Sequence, residues 1–430
     1  MTYLQEKNRL NAMNSFRFQE IKLRGEITPP GSKSIIQRVL LISTFLDRSI
    51  TLKGISDCED VSKMQESLVD LGCIVIPGKN FITIKPPERL NNIINAKIKD
   101  SATALRFLVV RLATYPGIKS FISMSRQLAG RPLDPLLNVL KKCGSEITRR
   151  KNKIEIIGHK FNCQEISIDA GISSQFISAF LLTSPWFDNG IRIIPKQVPV
   201  SRLYLQLTCE IMKEFGINVI KKNGEWLVPA GSKYRNLTNY DIEPDASSAC
   251  YFWALGALTG SEISVKGLAP DSFQPDIAFL DILGKMGAEI NISEESIKVM
   301  KGKLKGIKTD LSNLPDQVPT LAFLALFADS PTTIRNIRHL KYKESNRIDV
   351  LIREFKKLGA RIVYEMGDLC VEPLRKKPAK VTLKTDHDHR LAMIFYLLKL
   401  LYPDLEIDDL DCINKSYPEF IRDIGKLKGV

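Results

Sequence analysis

Gly72, Gly144, Gly216, Gly287 and Gly359 follow one another at steps of 72, 72, 71 and 72 residues. Each ends an amphipathic stretch and precedes a β-branched run, as at 73–76 and 217–220. A glycine so placed reads as the left-handed cap that stops a helix before a strand, since a residue without Cβ enters that conformation freely. A second signal falls between the caps. Polar knots at 31–34, 100–103, 173–175, 245–248, 315–317 and 386–390 begin at steps of 69, 73, 72, 70 and 71, each running into an apolar helix. Six units of this length account for 430 residues, so the expected fold class is α/β, one β/α unit written six times. The helices after the knots, such as 177–183, 249–258, 321–327 and 391–400, are apolar nearly all round and should be buried. The helices before the glycines have one apolar face and should lie outside.

Six copies divide most simply three and three, and the chain is too long for one ordinary core. The predicted domains are 30–242 for units one to three, and 1–29 with 243–430 for units four to six, with crossovers near 27–31 and 240–245. The strand at 16–25 can pair with either half; residues 1–20 read as polar and frayed, and 236–244 as an aperiodic link. If equivalent helices run the same way, each half presents three buried-helix N-termini at one end. Two such ends face to face make a cleft with six converging dipoles.

The net charge of +14 admits nucleic acid, an acidic membrane surface or an acidic substrate. The basic residues are spread out, with only short clusters at 149–153 and 375–380, which speaks against nucleic acid. The apolar run 391–402 is broken by Lys399 and too short for a bilayer, so no membrane is expected. Cysteines 58, 73, 143, 163, 209, 250, 370 and 412 form no C-x-x-C, and read as reduced thiols of a cytoplasmic protein, with neither a disulfide frame nor a zinc site. His387 and His389 stand two apart without a third ligand pattern, so no metal is expected.

The first knot carries the plainest chemistry. Pro29, Pro30 and Gly31 turn the chain into Ser32, Lys33 and Ser34, and an apolar helix starts there. Ser34, Gln37 and Arg38 share one helix face. Backbone N–H groups, a hydroxyl, an ammonium and a guanidinium pointing one way suit an anionic small molecule. The Gly-x4-Gly-Lys-Ser/Thr spacing of a nucleotide P-loop is absent.

Pro30-Gly-Ser-Lys-Ser34 with Arg38, Thr103-Ala-Leu-Arg106, Arg131-Pro132, Ser173-Ser-Gln175, Glu243-Pro-Asp-Ala-Ser-Ser248, Pro315-Asp316, Lys343-Glu-Ser-Asn-Arg347, Asp388-His-Arg390 and Lys415 follow one another in order, within a likeness that covers residues from about 20 to 425. This set resembles the 5-enolpyruvylshikimate-3-phosphate synthase family of enolpyruvyl transferases. The resemblance implies two similar domains, each of three β/α units around buried parallel helices (an inside-out α/β barrel), closing over shikimate 3-phosphate and phosphoenolpyruvate. It implies no cofactor, and a monomer is expected. By the same resemblance Lys33, Ser34, Arg38, Ser173, Ser174, Gln175, Ser201, Asp316, His339 and Lys343 hold shikimate 3-phosphate, with Tyr204 close by. Lys33, Ala102, Arg131, Gln175, Arg347, Arg390 and Lys415 hold phosphoenolpyruvate. Asp316 is the candidate base toward the 5-hydroxyl, Glu344 the candidate proton donor and acceptor at C3, and Lys33 assists. His389 is expected to orient the loop carrying Arg390.

The chain departs from the family pattern at two site positions. Ala102 stands where a glycine is usual, so phosphoenolpyruvate is expected to fit while the longer inhibitor glyphosate is excluded; the neighbouring Asp100 adds a negative charge. His339 stands where an asparagine is usual. The sister transferase acting on UDP-N-acetylglucosamine normally reads Lys-Asn at Lys33–Ser34 and carries a loop cysteine or aspartate; the segment 126–132 has neither. A non-catalytic anion binder has no need of Asp316 and Glu344 together in a basic cleft.

Overall fold

A computed structural model describes residues 21–429; the frayed segment read at 1–20, and the start of the strand read at 16–25, lie outside the described residues. The repeat appears as six versions of one pattern, strand, buried helix, strand, amphipathic helix, hairpin, the sixth without its hairpin. In the second unit, Ile93–Lys99 pairs in parallel with Lys119–Met124, which pairs antiparallel with Lys153–Ile157 and through it with Glu146–Arg150. The other units repeat this order, and the last keeps only the parallel pair Thr382–Leu383 and Glu406–Ile407. All five cap glycines are left-handed, with φ of 103°, 106°, 86°, 101° and 84° in chain order.

The helices Lys33–Ser43, Ala102–Ala113, Gln175–Thr183, Ala246–Thr259, Val318–Ala325 and His389–Leu401 follow the six knots. Every side chain of Ala246–Thr259 is buried. This is why these segments show no polar face: each contacts other buried helices, and Ala102–Ala113, Ala246–Thr259, Val318–Ala325 and His389–Leu401 also contact a sheet. The first three touch one another, and so do the last three. Buried apolar side chains accordingly form two clusters, one from Ile35 to Ile242, the other joining Ile27 to residues from Ala246 to Leu427.

Two strands cross between the clusters. Leu23–Ile27 pairs in parallel with Glu262–Lys266, in the sheet over the second cluster. Asn239–Asp241 pairs in parallel with Ile50–Lys53, over the first. The segment 236–244 is thus no aperiodic link; its three-residue strand is too short for a pattern to register. The crossovers lie side by side: Ser32 N donates to Glu243 O at 2.8 Å and Asp245 N to Pro30 O at 2.8 Å, around a bridge between Gly31 and Pro244. Only glycine fits at 31, since a Cβ there would stand 1.7 Å from Gly54 O.

One expectation is overturned. Cys143 and Cys163 form a disulfide; Cys58, Cys73, Cys209, Cys250, Cys370 and Cys412 are free. The two cysteines are 20 residues apart, with no local motif. The contact of helix Asp134–Lys142 with strand Glu165–Ile168 brings them together, and spacing alone does not report that. Closing a loop of this size removes denatured-state entropy worth about 3 kcal/mol. Urea unfolding of Cys163→Ser is therefore expected to fall short of the oxidised parent by about that amount, and reductant should lower the parent to match while leaving the variant unmoved.

Candidate active site

All six knots reach one cleft. Its lining includes Lys33 and Ser34, Ala102 and Thr103, residues 173–175, Asp245 and Ser247, Asp316, and His389 and Arg390. Each is at or beside the N-terminus of a buried helix, where unpaired N–H groups and the positive dipole end favour anions.

On the side of the first cluster, Lys33 Nζ donates to Asp60 Oδ2 at 2.8 Å. Burial works against the ammonium, yet Asp60 leaves the Lys33 pKa raised, so the amine is cationic at neutral pH. Arg38 is 2% exposed, and it donates to Thr208 Oγ1 (2.8 Å), Ser34 O (2.7 Å) and Tyr204 O (3.2 Å). No carboxylate among the described residues pairs with it, and burial pulls its pKa down to about 10. Arg106 is likewise deep: burial first, then Arg131, bring it to about 9 against the pull of Glu344. It donates to Gln175 Oε1 and Ser173 Oγ, while Gln175 Nε2 donates to Thr103 Oγ1 at 2.9 Å. Ser174 and Ser201 also line the cleft, Ser201 at a left-handed φ of 54° with its N–H given to Ser312 O at 2.9 Å. Tyr204 Oη donates to Asp276 Oδ2 at 2.6 Å.

On the side of the second cluster the charges are paired. Arg347, 0% exposed, donates to Asp316 Oδ1 (2.8 Å), Glu344 Oε2 (2.7 Å) and Asp388 Oδ2 (2.8 Å). Asp316 also accepts from Arg390 (3.0 Å) and Lys343 (3.3 Å); these contacts, with no capping bond, set it apart from an ordinary N-cap. Burial opposes its charge, but Arg390, Lys343 and Arg347 hold its pKa well below the usual carboxylate range. Glu344 accepts from Arg131 Nη1 at 3.1 Å and Lys415 Nζ at 3.3 Å. Against burial, Lys415, Arg131 and Arg347 hold it well below that range as well. His339 is buried, and its Nε2 has no partner among the described residues. Burial, then Lys343, lower its pKa to about 3, so the ring is neutral.

Every site residue named from the sequence except Lys415 lines this cleft, and Lys415 reaches it through Glu344. Arg131 belongs to the first cluster's side and Glu344 to the second's, so their ion pair spans the cleft. Asp100 accepts a hydrogen bond from the Ser125 hydroxyl, which partners its added charge. His387 and His389 point apart, one exposed against Asp409 at 2.6 Å, the other buried. The role expected of His389 goes to its neighbour instead. Both His389 ring nitrogens lack hydrogen-bond partners among the described residues, whereas the Asp388 carboxylate accepts from Arg390 N (3.0 Å), Arg347 and Ser345 Oγ (3.1 Å). An imidazole this deep, its pKa pushed well down by burial and then by Lys33, gives the loop no charge to hold. Reasoning from sequence also missed Asp60 and Asp276. Each is an acid inside an otherwise ordinary helix start, and only its burial marks it out.

Buried donors on one wall, carboxylates within a cation cluster on the other, and six helix N-termini between them can bind polyanions and move protons at the same place. A family model described as EPSP synthase (3-phosphoshikimate 1-carboxyvinyltransferase) matches residues 19–424. The chain is 33% identical to a 3-phosphoshikimate 1-carboxyvinyltransferase of Vibrio campbellii, over 97% of this chain and 100% of that one. It is 34% identical to the protein of that name from Pseudoalteromonas translucida, over 95% and 98%. Among solved structures, an EPSP synthase from Acinetobacter baumannii superposes with a TM-score of 0.77 at 22% identity, covering 96% of this chain and 97% of that one. The enolpyruvyl transferase NikO from Streptomyces tendae superposes with a TM-score of 0.73 at 15% identity over 96% and 97%, and shares the fold.

Proposed function

The chain belongs to the EPSP synthase family, the 3-phosphoshikimate 1-carboxyvinyltransferases, and on that premise we propose that its cleft is where the enolpyruvyl group of phosphoenolpyruvate passes to shikimate 3-phosphate. The transfer serves aromatic biosynthesis. The observation that carries the site assignment is the pair of partly buried carboxylates, Asp316 and Glu344, each held by cations from more than one element.

In this reading the 5-hydroxyl of shikimate 3-phosphate attacks C2 of phosphoenolpyruvate while C3 takes a proton. The tetrahedral adduct then loses phosphate and a C3 proton. Asp316 draws the proton from the hydroxyl and Glu344 exchanges the proton at C3, with Lys33 beside the developing charge. As they stand, both carboxylates are weak bases, because Arg131, Arg347, Arg390 and Lys415 bond to them. Those same cations are the ones assigned to phosphoenolpyruvate. When its phosphate and carboxylate take them, the side-chain carboxylates lose partners and gain anionic neighbours. Both changes raise their proton affinity. The acid and base are thus readied by substrate binding. Ser34, Arg38, residues 173–174, Ser201, His339 and Lys343 supply donors for shikimate 3-phosphate, whose phosphate needs several once it leaves water.

Mixing the protein with both substrates is expected to release inorganic phosphate, and either substrate alone to release none; no release from the mixture would end this reading. A narrower expectation follows from Ala102, the first residue of its helix and buried at the cleft. Its methyl stands where a longer ligand would need the room. Glyphosate should inhibit weakly, and Ala102→Gly should lower its Ki about 10-fold or more, as read from inhibition at fixed phosphoenolpyruvate.

A further inference from the structure

We propose that Gln127 is a positioning residue that holds Glu344 in working geometry from across the cleft. Gln127 sits in the short helix Arg126–Ala129. Its Nε2 donates to Glu344 O at 2.7 Å and, more weakly, to Asp386 O at 3.5 Å. Both partners are carbonyl oxygens, so only the amino end of the amide serves them, and the side chain has one useful orientation. Glu344 lies in the irregular stretch 343–346, between the 3-10 helix Arg338–Tyr342 and helix Arg347–Lys357. A reacting group on such a stretch is less sharply aimed than one on a regular element. Arg131 Nε holds the residue just before this stretch by donating to Tyr342 O at 3.2 Å. Arg131 also bonds the Glu344 carboxylate, which bound phosphoenolpyruvate would contest, whereas the Gln127 bonds go to backbone and survive substrate binding. The bond to Asp386 ties in the knot that carries Arg390. Gln127 therefore fixes both the backbone behind Glu344 and the first cluster's loop against the second cluster's side.

This inference rests on Glu344 handling the C3 proton, and the test separates the two. Gln127→Met keeps the length and loses the donor; Gln127→Glu keeps the shape and presents an acceptor to two carbonyls. Each is expected to lower kcat about 10-fold, with KM for either substrate moving less than about 3-fold. Gln127→Arg, which again donates, is expected to recover kcat to within about 2-fold of the parent. In a Glu344→Gln background, Gln127→Met should change kcat by less than about 2-fold, because the group it aims is gone. Parental kcat in Gln127→Met overturns the proposal. So does an equal fractional loss in both backgrounds, which leaves the role of Glu344 standing. Parental kcat in Glu344→Gln alone removes Glu344 from the mechanism, and the positioning role with it.

Discussion

Glu344→Gln is expected to lose at least about 100-fold in kcat while still binding both substrates, since a positioned acid–base group contributes factors of about 100 to 10,000. The substitution keeps the shape and removes the proton exchange at C3. It also removes the negative charge that Arg131, Arg347 and Lys415 neutralise. Those cations are then freer for phosphoenolpyruvate, so KM for this substrate should fall or hold steady as kcat collapses. Steady-state kinetics with calorimetric binding of shikimate 3-phosphate distinguishes this from misfolding. A variant that turns over at the parent's rate would remove Glu344 from the chemistry.

Arg347→Met is expected to be the most damaging substitution for stability. Arg347 is fully buried and serves Asp316, Glu344 and Asp388 at once. Removing it leaves the buried Asp388 and the partly buried Asp316 and Glu344 short of a counter-charge, and breaking such an arrangement costs about 3–5 kcal/mol. The pH dependence carries the sign. In the parent, Asp316 and Glu344 have pKa values depressed below the usual carboxylate range. Their contribution is therefore fully present above that range and is lost only as the pH falls beneath it. Without Arg347 their folded pKa values rise toward or past the unfolded ones, so the variant loses less stability on acidification and its deficit against the parent should narrow as the pH falls. Denaturant titrations of both proteins from pH 8 down to pH 4 would show the gap. Curves that stay parallel throughout would mean Arg347 does not set these carboxylates.

Several of these features are written in short stretches of sequence. The caps at Gly72 through Gly359, the six apolar helices and the knots at their heads depend on residues a few positions apart, and all of them appear where the repeat put them. The gathering of the knots follows from the same repeat, because like units presented in parallel put like ends together. The partners of the cleft residues were less legible. Asp60 supports Lys33 from 27 residues away, and nothing around it announces a site. Asp388 rather than His389 steadies the last knot, because a buried neutral ring has no charge with which to anchor a loop. Gln127 meets Glu344 across 217 residues, an unremarkable glutamine in a four-residue helix.

By itself the sequence determined how many units there are, which helices are inside and which ends carry polar groups, since periodicity and cap chemistry are local properties. Tertiary structure decided the rest. It sent Leu23–Ile27 to one sheet and Asn239–Asp241 to the other, joined Cys143 to Cys163, and chose which cation neutralises which carboxylate. Each of these is a choice among partners that local sequence makes almost equally acceptable. Only the closing of the chain on itself, which sets who is within hydrogen-bond reach, breaks that tie.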